Sequence, residues 1–278
     1  MGVGSASVRL LRHGKRPEVV QDIDSRAFTL SEARGLVRDL MTPNPSYRST
    51  VTQISCIVGR TDSGCSVVKK ERSTACLNQE YSRLASRYDT RWSRYIEVTT
   101  DVTIRHIGPL SRENVLDVGC GTGALLGQIR RKYPNAKLAG IDISTDMLEM
   151  AGRRLGRSVE LKQGQAESLP YTDAEFDVVV STSVFHLIRN PHLALTEIRR
   201  VLKPHGRVII TGWCDDYLAC KVCDLYLRLI NRGHFRAYGQ TRCRKMMTDA
   251  GFGEVRTDSF RMSWIWGFMT AQGLRTRP

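Results

Sequence analysis

The residues with the most chemistry to offer stand between Asn114 and Leu126, N-V-L-D-V-G-C-G-T-G-A-L-L. Gly119, Gly121 and Ala124 satisfy the pattern G-x-G-x-x-G/A, with Gly123 as a third glycine and Cys120 between the first two. Without side chains, such residues let the backbone turn sharply and let a ligand come close. The loop runs into a helical pattern, whose first free N–H groups favour an anion. Taken alone, these glycines suit any nucleotide. Asp117, two residues earlier, narrows the choice. A carboxylate there repels a pyrophosphate at short range and attracts a ligand that carries an ammonium group. Asp142, about twenty residues past the glycines, is placed to accept hydrogen bonds from ribose hydroxyls.

Regular elements must position these groups, and the pattern supplies them. Tyr81–Thr100 reads as one amphipathic helix with Leu84, Tyr88, Trp92 and Tyr95 on a single face. Asn114–Val118 reads as a buried strand. After the glycine loop, Leu125, Leu126, Ile129 and Tyr133 recur at helical spacing until Pro134 stops the helix. Leu138–Ile143, Val159–Gln163, Phe176–Ser181 and Arg207–Thr211 read as further strands, and Thr145–Leu155 and His192–Leu202 as helices. Lys203-Pro204-His205-Gly206 is expected to break the chain before the fifth strand. Gly253–Phe260 and Met262–Thr270 read as two closing strands. Strand and helix in alternation predict a right-handed, doubly wound α/β sheet.

In order along the chain, V-L-D-V-G-C-G-T-G, I-D-I-S, Q-A-E-S-L-P, F-D-V-V-V-S and L-K-P-H-G resemble the motifs of class I S-adenosylmethionine-dependent methyltransferases, and more closely the methyltransferase type 11 group. The resemblance runs from about Tyr81 to the C-terminus. It implies a Rossmann-like, seven-stranded methyltransferase sheet that ends in an antiparallel hairpin. It also implies transfer of the sulfonium methyl of S-adenosylmethionine to a small organic acceptor, with S-adenosylhomocysteine released. By that resemblance Asp117, Gly119, Gly121 and Gly123 form the cofactor loop, with Asp117 near the methionine amino group. Asp142 would bind the ribose, while Ile143 and Met147 flank the adenine. Gln165 stands where many relatives have Asp, and its amide oxygen accepts the same hydrogen bond without a charge. Ala166 would offer its backbone N–H to the ring. Cys120, Glu167 and Ser181 complete the expected cofactor contacts.

The acceptor side is less determined. Ser181–His186 would face the methionine end, where His186 is a candidate general base or simply a packed loop residue. Tyr81, Tyr88 and Trp92 are candidate acceptor or lid residues, or plain core packing. Trp213 and Tyr217, with the apolar stretch to Ile230, are the candidate acceptor-selecting segment, for which a quinone-like or lipid-like acceptor is the expectation. Whether carbon, oxygen or nitrogen is methylated is left open. Cys220-Lys-Val-Cys223, with Cys214, Cys243 and His234, has poor spacing for zinc, so no metal is expected. Trp264, Trp266 and Phe268 are assigned to core or pocket wall.

Composition sets the outer bounds. The chain has 278 residues, with 42 Lys and Arg against 28 Asp and Glu. This basic balance is dispersed, which argues against nucleic acid, and no N/D-P-P-Y/F signature follows the fourth strand. A nucleic-acid-modifying enzyme and a cofactor-binding scaffold without catalysis stay as alternatives. No run approaches a membrane span, although peripheral contact with a membrane is compatible with the charge. The first thirty residues lack an apolar signal core, so a cytoplasmic protein with reduced thiols is expected. Residues 1–78 read as a poorly ordered extension with one short helix, Leu30–Leu40, capped by Thr29 and Glu32. Within it, Thr29–Pro45 resembles the N-terminal segment of bacterial membrane fatty-acid desaturases. No His-box follows, which excludes that chemistry.

Overall fold

A computed structural model describes residues 74–217, 220, 221, 224, 236–261 and 267–276. By contacts the chain divides into residues 1–69 and 70–278, and everything described lies in the second unit. The Leu30–Leu40 helix, the desaturase-like run, Cys223, His234, Trp264, Trp266 and most of the stretch from Leu218 to Ile230 lie outside the described residues.

Two helices open the described chain, α1 (Thr74–Arg91) and α2 (Ser93–Ile107). The continuous helix expected over Tyr81–Thr100 is therefore corrected. Trp92 leaves helical geometry at φ −111°, ψ 19°, and α2 then continues past Thr100 to Ile107. The start at Thr74 also places helix inside the stretch assigned to the extension. Next come β1 (Asn114–Val118), α3 (Ala124–Lys132), β2 (Lys137–Asp142), α4 (Thr145–Leu155), β3 (Glu160–Gln163), β4 (Phe176–Thr182), α5 (Pro191–Val201) and β5 (Leu202–Trp213). The described chain closes with α6 (Gln240–Asp249), β6 (Phe252–Arg261) and β7 (Gly267–Arg275).

The seven strands form one sheet in the order β3-β2-β1-β4-β5-β7-β6. β1 to β5 run parallel, and β7 lies antiparallel to both β5 and β6. The order reverses beside β1, so the ends of β1 and β4 border the crevice where such sheets take ligands. Of the expected strand Met262–Thr270, residues 262–266 lie outside the described residues, and β7 continues past Thr270 to Arg275.

Apolar residues cover both faces. On one, Ile104 and Ile107 of α2, Leu125, Leu126 and Ile129 of α3, and Leu155 of α4 pack on Val115, Val178 and Val180. On the other, Leu195 and Ile198 of α5 and Met246 and Met247 of α6 pack on Leu116, Val179 and Val208. Burying each of these side chains stabilises the fold by about 1.5–3 kcal/mol. Helix starts are set locally. Ser144 caps α4 through Met147 N–H at 3.3 Å, and Asn190 caps α5 through Leu193 N–H at 3.2 Å, with Pro191 in the first turn.

The expected break at Lys203–Gly206 is a bulge inside β5 rather than a loop before it. Leu202 already pairs with Phe176, and pairing resumes at Arg207 with Val178. His205 accommodates the detour in the left-handed region, at φ 64°. Because the chain is hydrogen-bonded to β4 on both sides of the turn, the strand is entered earlier than its apolar run suggests.

Candidate functional site

Beyond the carboxyl ends of β1, β2 and β4 lies a cavity of about 1160 Å³, its open mouth included. β1 ends in the glycine loop, which is stitched to β2. Gly119 and Cys120 both donate their N–H to Ile141 O, at 2.8 and 3.0 Å, and Gly121 N–H donates to Asp142 Oδ2 at 2.9 Å. Gly119 sits at φ 78°, and a Cβ there would collide with the Val184 side chain. Gly121, at φ 51°, has open space where a Cβ would stand, so the backbone is exposed to whatever fills the cavity. Gly123, also left-handed, starts α3 without lining the cavity itself.

Two carboxyls face this space. Asp117, the penultimate residue of β1, is 2% exposed, and its Oδ1 has no hydrogen-bond partner among the described residues. Burial first, and the nearby Asp142 second, push its carboxyl up to about 8. An orphaned acid in a dry wall is costly unless something meets it, and a ligand ammonium does so. Asp142 is held by two backbone donors, Gly121 N–H on Oδ2 and Ser144 N–H on Oδ1, each at 2.9 Å. Burial raises its carboxyl, while those donors pull it back. Each oxygen keeps a further lone pair for a ribose hydroxyl. Cys120 is buried between them, and burial with both acids raises its thiol well above the ordinary range, which makes it an inert wall.

Of the positions expected to contact the cofactor, Asp117, Gly119, Cys120, Gly121, Asp142, Ile143, Met147, Gln165, Ala166 and Glu167 line the cavity together. Ser181 does not. Its hydroxyl donates to Val118 O at 3.0 Å and ties β4 to β1 beneath the floor. Tyr81 and Tyr88 line one wall, with Tyr88 raised to about 12 by burial and by Asp142 and Asp89. Trp92 is not in that wall, because the break at this residue turns it toward Tyr95 at 5.9 Å between rings. His186 is also outside the lining. It is 7% exposed and stacks on Trp213 at 5.1 Å, nearly parallel. Tyr217 lies apart as well, its hydroxyl donating to Ser259 Oγ at 3.2 Å and its ring under Arg261. Among the described residues no three His, Cys, Asp or Glu side chains converge on a metal position; Cys214 and Cys243 are buried, and Cys220 Sγ accepts from Gly267 N–H at 3.1 Å.

The structure adds residues that pattern reasoning passed over. Ile96, Thr99 and Thr100 of α2 and Leu187 beyond β4 line the cavity, alongside Tyr95 and, from the stretch expected to face the methionine end, Thr182 at the end of β4 and Ser183. The threonines were invisible to an apolar periodicity. Ser183 holds a left-handed backbone at φ 64°, fixed by its N–H to Thr211 O at 2.7 Å, a strained residue at the cavity edge.

A seven-stranded sheet in this order, with a glycine loop and two acids at its switch point, has the Rossmann-like architecture that class I methyltransferases share. The known proteins agree: residues 116–210 match the family described as "Methyltransferase domain". A demethylmenaquinone methyltransferase of Thermotoga maritima is 33% identical over 142 residues, 47% of this chain and 58% of that protein. A malonyl-[acyl-carrier protein] O-methyltransferase of Geobacter sulfurreducens is 38% identical over 137 residues, 47% of this chain and 50% of that protein. The chain thus spans little more than half the length of these relatives. Among solved structures, a SAM-dependent methyltransferase of Thermotoga maritima superposes with a TM-score of 0.60 at 20% identity, over 72% of this chain and 100% of that one. A 1,6-didemethyltoxoflavin-N1-methyltransferase of Burkholderia thailandensis does so at 0.58 and 15% identity, over 77% and 94%. Both share the fold. No helix among the described residues is long and apolar enough to cross a membrane.

Proposed function

We propose that this chain moves the methyl group of S-adenosylmethionine to a small organic acceptor and releases S-adenosylhomocysteine. The observation that carries this is the pair of acids at the ends of adjacent strands: Asp117, buried with an oxygen unmatched, and Asp142, 2.9 Å from the N–H of the glycine loop. A dinucleotide would bring a pyrophosphate against Asp117. An amino-acid ligand brings an ammonium instead.

Bound S-adenosylmethionine supplies a methyl carbon made electrophilic by its sulfonium. The chain's residues position and enclose. Asp117 would hold the amino group and Asp142 the ribose, with Ile143 and Met147 against the adenine and Gln165 and Ala166 at its edge. Tyr95, Ile96, Val184 and Leu187 form an apolar wall suited to a quinone-like or lipid-like acceptor, and the name of the Thermotoga maritima relative points the same way. His186 lies outside the cavity wall, so the base role has no direct geometry behind it, and in-line positioning suffices for an acceptor that is already nucleophilic.

Calorimetric titration with S-adenosylmethionine and with NAD, on the wild type and Asp142→Ala, tests the cofactor. The expected result is binding of S-adenosylmethionine alone, weakened at least about tenfold by loss of a charged acceptor. Binding of NAD alone would overturn the proposal. Methyl incorporation into reduced demethylmenaquinone, set against a mixed RNA, then tests the acceptor class.

A further inference from the structure

In the sheet order, β2 carries Asp142, β1 carries Asp117, and β4 and β5 follow on the other side. Ser183 stands just past β4 and is tied to β5 by its N–H on Thr211 O. It therefore lines the cavity on the side away from Asp142. Helix α2, packed on β4 and β5, adds Tyr95, Ile96, Thr99 and Thr100 to the same cavity. The threonine hydroxyls here are engaged. Thr99 Oγ1 donates to Tyr95 O at 2.8 Å, and Thr100 Oγ1 donates to Ile96 O at 2.6 Å. Thr182 Oγ1 lies 3.0 Å from Thr103 Oγ1. Ser183 differs, because its Oγ is closed off from solvent and completes no hydrogen bond among the described residues. The Tyr95 hydroxyl approaches it without reaching hydrogen-bond geometry. Burial first, then Tyr88, raise that phenol, and the neighbouring Ser183 and Trp213 side chains act against them.

Ser183 thus carries two costs at once, an unmatched buried hydroxyl and a left-handed backbone at φ 64°. Glycine would make the same turn without strain. The backbone does not call for serine, so the hydroxyl is what this conformation presents to the cavity. We infer that Ser183 is a specificity-determining residue of the acceptor end, its hydroxyl anchoring an oxygen carried on an otherwise apolar ring. The acceptor class is then a phenol, a hydroquinone or a ring ketone, with its apolar body against Tyr95, Ile96 and Val184. A hydroxyl donates and accepts, so either a ring hydroxyl or a ring carbonyl meets it. A plain hydrocarbon would leave Ser183 unmatched in a closed site and is disfavoured for that reason.

The inference rests on the proposed function and narrows its acceptor. α-Naphthol and α-methylnaphthalene share a ring system and differ only by hydroxyl against methyl. Calorimetric titration of each into the full chain, saturated with S-adenosylhomocysteine, gives a selectivity ratio. The wild type is expected to favour α-naphthol. Ser183→Ala and Ser183→Gly should each lower the ratio about tenfold, through loss of one hydrogen bond. Ser183→Gly also relieves the left-handed strain, so it should keep the wild-type urea midpoint and the affinity for S-adenosylhomocysteine. A purely structural role would instead shift the midpoint and weaken both probes together. Absence of a preference for α-naphthol in the wild type, an unaltered ratio in either variant, or binding of neither probe overturns the role of Ser183 alone. Failure of the wild type to bind S-adenosylhomocysteine overturns the proposed function and the role of Ser183 with it.

Discussion

Thr103 of α2 places one hydroxyl between two strands: its Oγ1 lies 3.0 Å from Thr182 Oγ1 of β4 and 2.9 Å from Thr211 Oγ1 of β5. Thr182, Thr211 and Thr270 are register partners across β4, β5 and β7, so their side chains form a row on the face that α2 covers. Thr211 and Thr270 continue the contact at 3.4 Å. The helix that lines the cavity with Tyr95, Ile96, Thr99 and Thr100 is therefore docked by hydroxyls as well as by Ile104 and Ile107.

Thr103→Val removes the shared hydroxyl and keeps the shape. It takes one partner from buried Thr211 and one from half-buried Thr182, at a cost of about 1–3 kcal/mol. Urea denaturation should show the loss, and Thr103→Ser should recover most of it. An unchanged midpoint in Thr103→Val would mean that the row contributes nothing to docking α2.

Asp117 gives the ligand-free protein a pH dependence whose sign is fixed. Its folded value of about 8 lies above the unfolded carboxylate value of about 3.9. The folded state therefore binds the extra proton, and stability falls as pH rises from about 4 to about 8. Asp142, also raised, adds to the same trend. Thermal unfolding across that range should show a declining Tm, with a shallower decline in Asp117→Asn. Under the proposed function, arrival of the ligand ammonium draws the proton off. Calorimetry in two buffers of different ionisation enthalpy, near pH 6.5, should then register about one proton released per S-adenosylmethionine bound.

Gly140 lies in the middle of β2, under α3. A Cβ there would stand 2.9 Å from Cys120 Sγ, 2.9 Å from Leu126 Cδ1 and 3.0 Å from Leu161 Cδ2. Cys120 and Leu126 are buried and Leu161 is half-buried, so the three cannot all withdraw, and Gly140→Ala should destabilise by about 1–3 kcal/mol through overpacking. Because Cys120 belongs to the cavity wall, the same variant should weaken nucleoside binding. Paired denaturation and calorimetry measure both effects.

Burial pushes the thiols of Cys214 and Cys243 up to about 12, and that of Cys120 well above its usual value. Thiolates being the reactive form, these cysteines should resist alkylation at pH 8 in the native protein and label on unfolding. Mass mapping after a short iodoacetamide pulse decides the matter.

The sequence by itself determined whatever depends on short-range pattern. The apolar runs of β1, β2 and β4 and the spacing of Asp117, the glycines and Asp142 are all local, and together they give the parallel sheet and the loop at its switch point. Tertiary structure decided the rest. Trp92 breaks a helix whose apolar spacing runs straight through it, because α2 answers to the threonine row while α1 answers to the glycine loop. His186 and Trp213, far apart in the chain, stack on each other outside the cavity lining, since β4 and β5 are neighbours in the sheet. The Asp89–Thr122–Arg154 triangle joins three residues from three elements with no motif among them. Periodicity records which side of an element is apolar. It carries no information on which distant hydroxyl or carboxylate a polar side chain will meet, and that pairing is set only when the elements pack.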